Sequence, residues 1–205
     1  MKIAILIEGP TEKAFKPFLV AFLKQYLAGR MPSLDFVPQD GGLPTGDKLR
    51  RVVENLLHDR KRPADAVIAL TDVYTGTNPP MFADASDAKQ KMTAWAGNHS
   101  LFFAHAALHD FEAWLIPYWT KIQKLAKSNR VRPGQNPESV NHNHPPAYQL
   151  KEIFRIGGRP KHYSKVIDAP RILRGESLLT AINECAELKQ FVNRIVSLCG
   201  GTELP

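Results

Sequence analysis

Ile3-Ala4-Ile5-Leu6-Ile7-Glu8-Gly9-Pro10-Thr11-Glu12 opens the chain with an aliphatic run that stops at an acid, a glycine and a proline. Apolar residues without alternation, over a strand's length, suit a parallel strand covered on both faces. Gly9 frees the backbone for a tight turn, and Thr11 is placed to cap a following helix. Phe15, Phe18, Leu19, Phe22, Leu23 and Tyr26 then recur at i, i+3, i+4 spacing, the pattern of an amphipathic helix docked on a sheet. Pro17 falls inside that pattern. It predicts a kink, or a helix whose regular part starts near Phe15.

Working outward, Leu34 to Pro38 reads as a second strand, followed by a Gly/Pro loop through Gly46. Leu49, Val52, Val53, Leu56 and Leu57 mark a second helix. Ala66-Val67-Ile68-Ala69-Leu70 is a third buried strand that ends in Thr71-Asp72. A helix is expected over Ala85 to Ala96, a fourth strand over Ser100 to Ala106, and another helix from His109 to Leu115. Strands alternating with helices imply right-handed crossovers, and so an α/β, Rossmann-like sandwich around a central, mainly parallel four-stranded sheet. From about residue 120 no strand-like run recurs. Helical stretches there alternate with a polar loop from Ser128 to Pro146. The expected organisation is an α/β core over residues 1–119 and a basic helical C-terminal extension, 120–205, packed on it.

The 205 residues carry a net charge of +7, and its distribution is uneven. Residues 1–119 hold 13 Lys/Arg and 13 Asp/Glu, residues 120–175 hold 12 and 3, and residues 176–205 hold 2 and 4. The excess therefore belongs to one segment, which can neutralise phosphates and give salt-dependent nucleic-acid binding. A solvated basic face would read the same way. Cys185 and Cys199 form no C-x-x-C pair and have no His array nearby, so two reduced thiols in a helical tail are expected rather than a zinc ribbon. No stretch reaches the length of a transmembrane helix, and Glu8 ends the first apolar run before a signal sequence could be complete. A cytoplasmic protein is expected, with no membrane association.

In open parallel sheets, sites form where loops converge at the carboxyl ends of strands. Glu8 ends the first strand, Asp72 ends the third, and Asp110 and Glu112 follow the fourth. Oxygen ligands of this kind suit Mg²⁺ or Mn²⁺, which take one or two carboxylates plus waters and substrate phosphates. Any one such acid could simply cap a helix or bind an arginine. Glu8 and Asp72 together point to a metal.

Ile5-Leu6-Ile7-Glu8-Gly9-Pro10-Thr11-Glu12 resembles the V-E-G-x-T-E motif that opens the Toprim domains of OLD-type nucleases. The whole chain resembles a Toprim-like family often encoded beside ATPases in bacterial defence loci. The resemblance rests further on Thr71-Asp72-Val73-Tyr74, His109-Asp110-Phe111-Glu112-Ala113, Tyr163-Ser164-Lys165 and the helical tail near Cys185. It implies a Toprim sheet in which Glu8 is general acid/base or metal ligand and Asp72 holds a divalent ion. The chain departs from the pattern at Tyr74, where Toprim nucleases carry the second acid of D-x-D. Glu112 or Asp110, after the next strand, would have to stand in for it.

These residues support a Mg²⁺- or Mn²⁺-dependent nuclease subunit acting on DNA or RNA, with an ATPase partner. Its catalytic and metal residues would be Glu8, Asp72 and Glu112, and Lys161, Lys165, Arg171 and Arg174 would grip the strand. Tyr74 favours a rival, a non-catalytic Toprim-like subunit that binds nucleic acid or regulates an ATPase. A small-molecule phosphohydrolase is a third reading, and the basic segment argues mildly against it. Other features carry less. Asn141-His142-Asn143-His144 contains the letters of an HNH nuclease without its ββα spacing. His105 alternates with apolar neighbours and is expected to be a satisfied core or rim histidine. No G-x-x-x-x-G-K-[ST] is present, so ATP hydrolysis by this chain alone is not expected.

Overall fold

The structure is a computed structural model in which residues 1–39, 41–73, 80–108, 110–139, 144–157 and 163–205 are described. Strands β1 (Lys2–Ile7), β2 (Ser33–Pro38), β3 (Ala66–Asp72) and β4 (Phe102–Ala107) form one all-parallel sheet in the order β2-β1-β3-β4. Helices α1 (Pro10–Tyr26), α2 (Asp47–Leu57) and α3 (Ala85–Trp95) connect them. The chain winds one way from β1 to β2 and the other way from β1 to β3. The switch point therefore falls between β1 and β3, where ligands of open α/β sheets bind.

Both faces of the sheet are covered, which is why its strands read as unbroken apolar runs. Side chains alternate with the pleat, and the register pairs Ile5 with Ile68 and Ile7 with Leu70. Ile3, Ile5, Ile7, Ile68 and Leu70 join a core with Phe15, Leu19 and Leu23 of α1 and with the C-terminal helices. Ala4, Leu6, Val67 and Ala69 face the other way, against Leu49 and Val53 of α2 and Met92 of α3. This is the expected α/β sandwich around a four-stranded parallel sheet.

The first helix differs from the sequence reading at its start. It begins at Pro10, not near Phe15, with Gly9 as its extended N-cap. Proline suits the first helical position, where no backbone N–H is needed. Pro17 is carried inside the helix on its exposed side, where water can reach the carbonyl that proline leaves without a donor. Because the helix starts early, Thr11 does not cap it. Thr11 is buried in the first turn and donates its hydroxyl to Glu112 Oε1 at 3.4 Å.

After β4 the chain forms a 3₁₀ helix over Phe111–Tyr118, then α4 (Trp119–Ala126), α5 (Pro146–Ile156), α6 (Lys165–Leu173), α7 (Leu178–Glu184) and α8 (Ala186–Leu198). The 3₁₀ segment is buried almost all round and packs Phe111 and Trp114 against Phe15 and Phe191. It shares one apolar cluster with α1, α4 to α8 and the sheet, so the C-terminal helices complete the face that α1 covers only in part. Cys185 is buried, Cys199 ends α8, and both are free thiols. His105 is buried edge-on against Phe191, but its Nδ1 has no partner among the described residues. It is not the satisfied histidine expected from the pattern, and burial lowers its pKa to about 3, which keeps it neutral.

One carboxylate anchors part of the polar stretch before α5, alongside the Arg132–Glu184 ion pair. Glu138, in a short 3₁₀ turn (Pro137–Ser139), accepts from Trp114 Nε1 at 3.2 Å and from the Glu187 N–H in the first turn of α8 at 3.1 Å. Truncating it leaves two donors unpaired beside the core. Glu138→Ala is expected to cost about 2 kcal/mol in urea unfolding. Glu138→Gln, which keeps an acceptor, should cost less than half of that.

Candidate active site

Five carboxylates from separate parts of the chain converge at the carboxyl edge of the sheet, over the β1/β3 switch point. Glu8 follows β1, Glu12 lies in the first turn of α1, Asp72 ends β3, and Asp110 and Glu112 follow β4. Glu12, Asp110 and Glu112 are buried, and Asp72 is half-buried. One cation, Lys165 at the start of α6, reaches Glu112 at 3.2 Å.

Each acid is positioned by ordinary backbone chemistry. Thr71 donates its hydroxyl to Glu8 Oε1, and the backbone N–H groups of Asp72 and Leu43 also serve the Glu8 carboxylate. Asp72 Oδ1 accepts from the Phe111 N–H at 2.9 Å, which joins the end of β3 to the 3₁₀ helix after β4. Asp110 Oδ2 accepts from Ala147 N at 3.1 Å, at the start of α5. Glu112 Oε1 is approached by the hydroxyls of Thr11 and Tyr163, the latter at 3.5 Å. Glu12 folds back over the turn, so that a Cβ on Gly9 would stand 3.1 Å from Glu12 Oε2. A side chain at position 9 would push that carboxylate away.

The electrostatics follow from this crowding. Burial raises the Glu12 pKa to about 7, with the charge of Glu112 adding to the effect. Burial and Glu112 likewise raise Asp110 to about 7. Asp72 is held well above the usual carboxylate range by desolvation and by Glu12, Asp110, Glu8 and Glu112. Glu8 is raised by desolvation, against the pull of its Thr71 hydrogen bond. Burial works against the Lys165 ammonium, yet the combined attraction of Glu112, Asp72 and Asp110 lifts its pKa. Among the described residues, the site gathers more carboxylates than the one lysine at it can balance.

That donor set suits a hard divalent cation. It consists of oxygens alone, its members repel one another, and Asp110 Oδ1 is buried without a hydrogen-bond partner among the described residues. Among the described residues, no three His, Cys, Asp or Glu side chains are gathered closely enough to hold an ion as they stand.

Of the residues singled out from the sequence, Glu8, Asp72, Glu112 and Lys165 come together here. Arg171 instead pairs with Asp168 at 3.4 Å, and Arg174 is exposed at the end of α6. Lys161, Tyr74, His109 and the stretch Asn141 to Asn143 lie outside the described residues. Glu12 closes the Glu8-Gly9-Pro10-Thr11-Glu12 motif, but the sequence reading gave it no place in the site. A further signal was the proline at position 10, which moves the helix start forward and leaves Glu12 at the third helical position, facing back toward Glu8.

In its arrangement of strands and helices the chain is similar to the C-terminal region of the Burkholderia pseudomallei OLD protein. The TM-score is 0.52 over 97% of this chain and 98% of that one, at 14% sequence identity. Among curated proteins, none matches the chain. Among the described residues, no helix is long and apolar enough to cross a membrane. The profile of the family described as a domain of unknown function, DUF4276, matches residues 7–196, and the chain belongs to that family.

Proposed function

We propose that this chain is a divalent-cation-dependent nuclease subunit of the Toprim type, cleaving phosphodiester bonds in DNA or RNA. The reading rests on one observation above the others: three strand-end or loop acids, one from the 3₁₀ helix and one from α1 crowd together at the switch point, at an electrostatic cost that a bound cation would relieve. Mg²⁺ or Mn²⁺, held by Asp72 with Glu8 and Glu112, would neutralise a phosphate and lower the pKa of an attacking water. Glu12 and Asp110 stand close enough in charge to share that role, and they supply the acid that Tyr74 does not.

The protein's own groups have separate tasks. Thr71 fixes the Glu8 carboxylate through Oε1, and the raised pKa of Glu8 brings proton transfer at that carboxylate nearer to neutral pH. Lys165, anchored on Glu112, is placed to donate to a non-bridging phosphate oxygen. Lys161, Arg171 and Arg174 would hold the strand beyond it. Several other basic residues of the 120–175 segment are already engaged by acids. Arg130 and Arg155 share Glu152, Arg132 binds Glu184, and Lys121 binds Glu176. The strand grip is therefore narrower than the segment's net charge implies. Replacing Arg171 and Arg174 together by alanine should weaken strand binding by about three- to tenfold at low salt and flatten its salt dependence. Binding titrations at several salt concentrations check this.

The test of the reading is cleavage of end-labelled single- and double-stranded DNA and RNA with Mg²⁺ or Mn²⁺, by the chain alone and beside any ATPase that copurifies with it. A second reading, a non-catalytic subunit that binds nucleic acid or regulates an ATPase, draws on the Lys165–Glu112 ion pair, which already satisfies part of the acidic charge. It predicts salt-sensitive binding without cleavage under every condition.

A further inference from the structure

Glu8 has a second neighbourhood. The carboxylate cluster lies on the α1 side of the sheet, with Glu12, Glu112 and Lys165. On the opposite side, over α2 and α3, Glu8 borders a separate cavity of about 340 Å³. Gly42, Leu43, Met81, Phe82, Met92 and Trp95 line it. Phe82 and Trp95 meet at 6.0 Å between ring centroids and 43° between planes. Gly41 and Gly42, with φ of +80° and +103°, form a rim without side chains. A volume near the lower end of the ~300–1,000 Å³ typical of small-ligand sites, with aromatic and thioether walls and a few polar groups at the mouth, suits a flat heteroaromatic ring.

We propose that this cavity is a nucleobase subsite, which takes a base splayed out of a single strand while the adjoining phosphate lies at the carboxylate cluster. The proposal rests on the nuclease reading for the position of the phosphate, but the cavity itself is read from its own walls. Trp95, half-buried, offers the stacking surface, and Met81 and Met92 adapt to the ring edge. The backbone of the Gly41–Leu43 turn and the hydroxyls of Thr45 and Thr71 provide polar groups that can meet base edges. Glu8 stands between the two compartments, with Oε1 held by Thr71 and Oε2 4.0 Å from where a Cβ on Gly42 would lie. Its carboxylate can therefore serve a phosphate on one side and sit at the mouth of the base pocket on the other. The substrate class follows: a single strand, or a duplex end that frays, rather than an intact duplex whose bases remain stacked.

Methyl-labelled methionine provides the test, because the chain has 4 methionines, of which Met81 and Met92 line the cavity and Met1 and Met31 do not. Adenosine 5′-monophosphate is titrated in EDTA, with ribose 5-phosphate as the baseless control. The expected result is saturable ring-current shifts at the Met81 and Met92 methyls with the nucleotide, none with the sugar phosphate, and none at Met1 or Met31. Trp95→Ala should weaken the nucleotide about tenfold, the scale of one lost base–aromatic stack. Thr45→Trp, a rim change that fills the cavity from outside the core, should abolish the shifts. Equal shifts from both ligands, or shifts absent from Met81 and Met92, overturn the proposal. The assay needs neither metal nor cleavage, so a chain that shifts with the nucleotide yet cleaves nothing refutes the nuclease reading and leaves the subsite standing. A chain that cleaves but does not shift does the reverse.

Discussion

Glu8→Gln and Asp72→Asn, separately or together, are expected to lower cation-dependent cleavage by about 10³-fold or more while leaving the fold intact. The amide substitutions are the informative ones. Glutamine at position 8 still accepts the Thr71 hydroxyl, and asparagine at position 72 still accepts the Phe111 N–H through its Oδ1. Each therefore keeps that side-chain or backbone hydrogen bond while it removes negative charge and proton-transfer capacity. Alanine at position 72 would leave the Phe111 N–H without its acceptor, and alanine at position 8 would take from Thr71 one of its two acceptors, so any loss of activity could then be structural. Glu112→Gln should fall between wild type and these variants, because it also releases Lys165 from its ion pair. Product analysis on denaturing gels, with circular dichroism to verify folding, separates the outcomes. Undiminished cleavage by Glu8→Gln would remove the cluster from the chemistry and move any activity elsewhere on the chain.

The order of elements was legible in the sequence because burial on both faces leaves unbroken apolar runs. Ala66 to Leu70 can hardly be anything but a covered strand, and the observed β3 adds only Thr71 and Asp72 to it. The 3₁₀ helix after β4 was harder to read. Phe111 to Ile116 is buried on every side, so no amphipathic period distinguishes one helical form from another, and Pro117 removes a donor within it. The acids at strand ends were legible from topology alone, since a parallel sheet brings its carboxyl ends together. What topology could not supply was Glu12 and Tyr163. Glu12 sits where a first-turn acid is favoured by the helix dipole for reasons unrelated to any ligand. Tyr163 reaches Glu112 from a segment 51 residues later in the chain, a contact that no local pattern encodes. The net charge misled in a different way. The +9 excess of residues 120–175 is a property of that segment, whereas Glu176 and Glu184, outside it, bind Lys121 and Arg132.

Glu12→Gln is expected to stabilise the metal-free chain at pH 8 and to leave it nearly unchanged at pH 4.5. The sign follows from linkage. Folding raises the Glu12 pKa from 4.5 to about 7, so the folded state binds this proton more tightly than the unfolded state. The resulting stability is fully present below about pH 4.5 and is lost as pH rises through about 7, where the folded chain must ionise a buried carboxyl beside Glu112 and Glu8. Glutamine has no proton to lose. A shift of that size corresponds to about 3 kcal/mol for this buried group, or about 5–10 °C in melting temperature for a chain of this length. Asp110→Asn should act in the same direction, and less than additively with Glu12→Gln, because both carboxylates repel Glu112. Comparing variant with wild type at each pH cancels His105, whose lowered pKa works the opposite way and removes stability as pH falls below about 6.5. The same melting curves carry the metal test. A divalent cation and a proton compete for these oxygens, so Mn²⁺ should raise the wild-type midpoint at pH 8 far more than at pH 5, and should raise that of Glu12→Gln less than wild type at pH 8. A midpoint indifferent to pH, to the amide and to the metal would mean that the five carboxylates do not act on one another. The cluster would then have no excess charge for a cation to relieve, and the argument for a metal at the β1/β3 switch point would lose its footing.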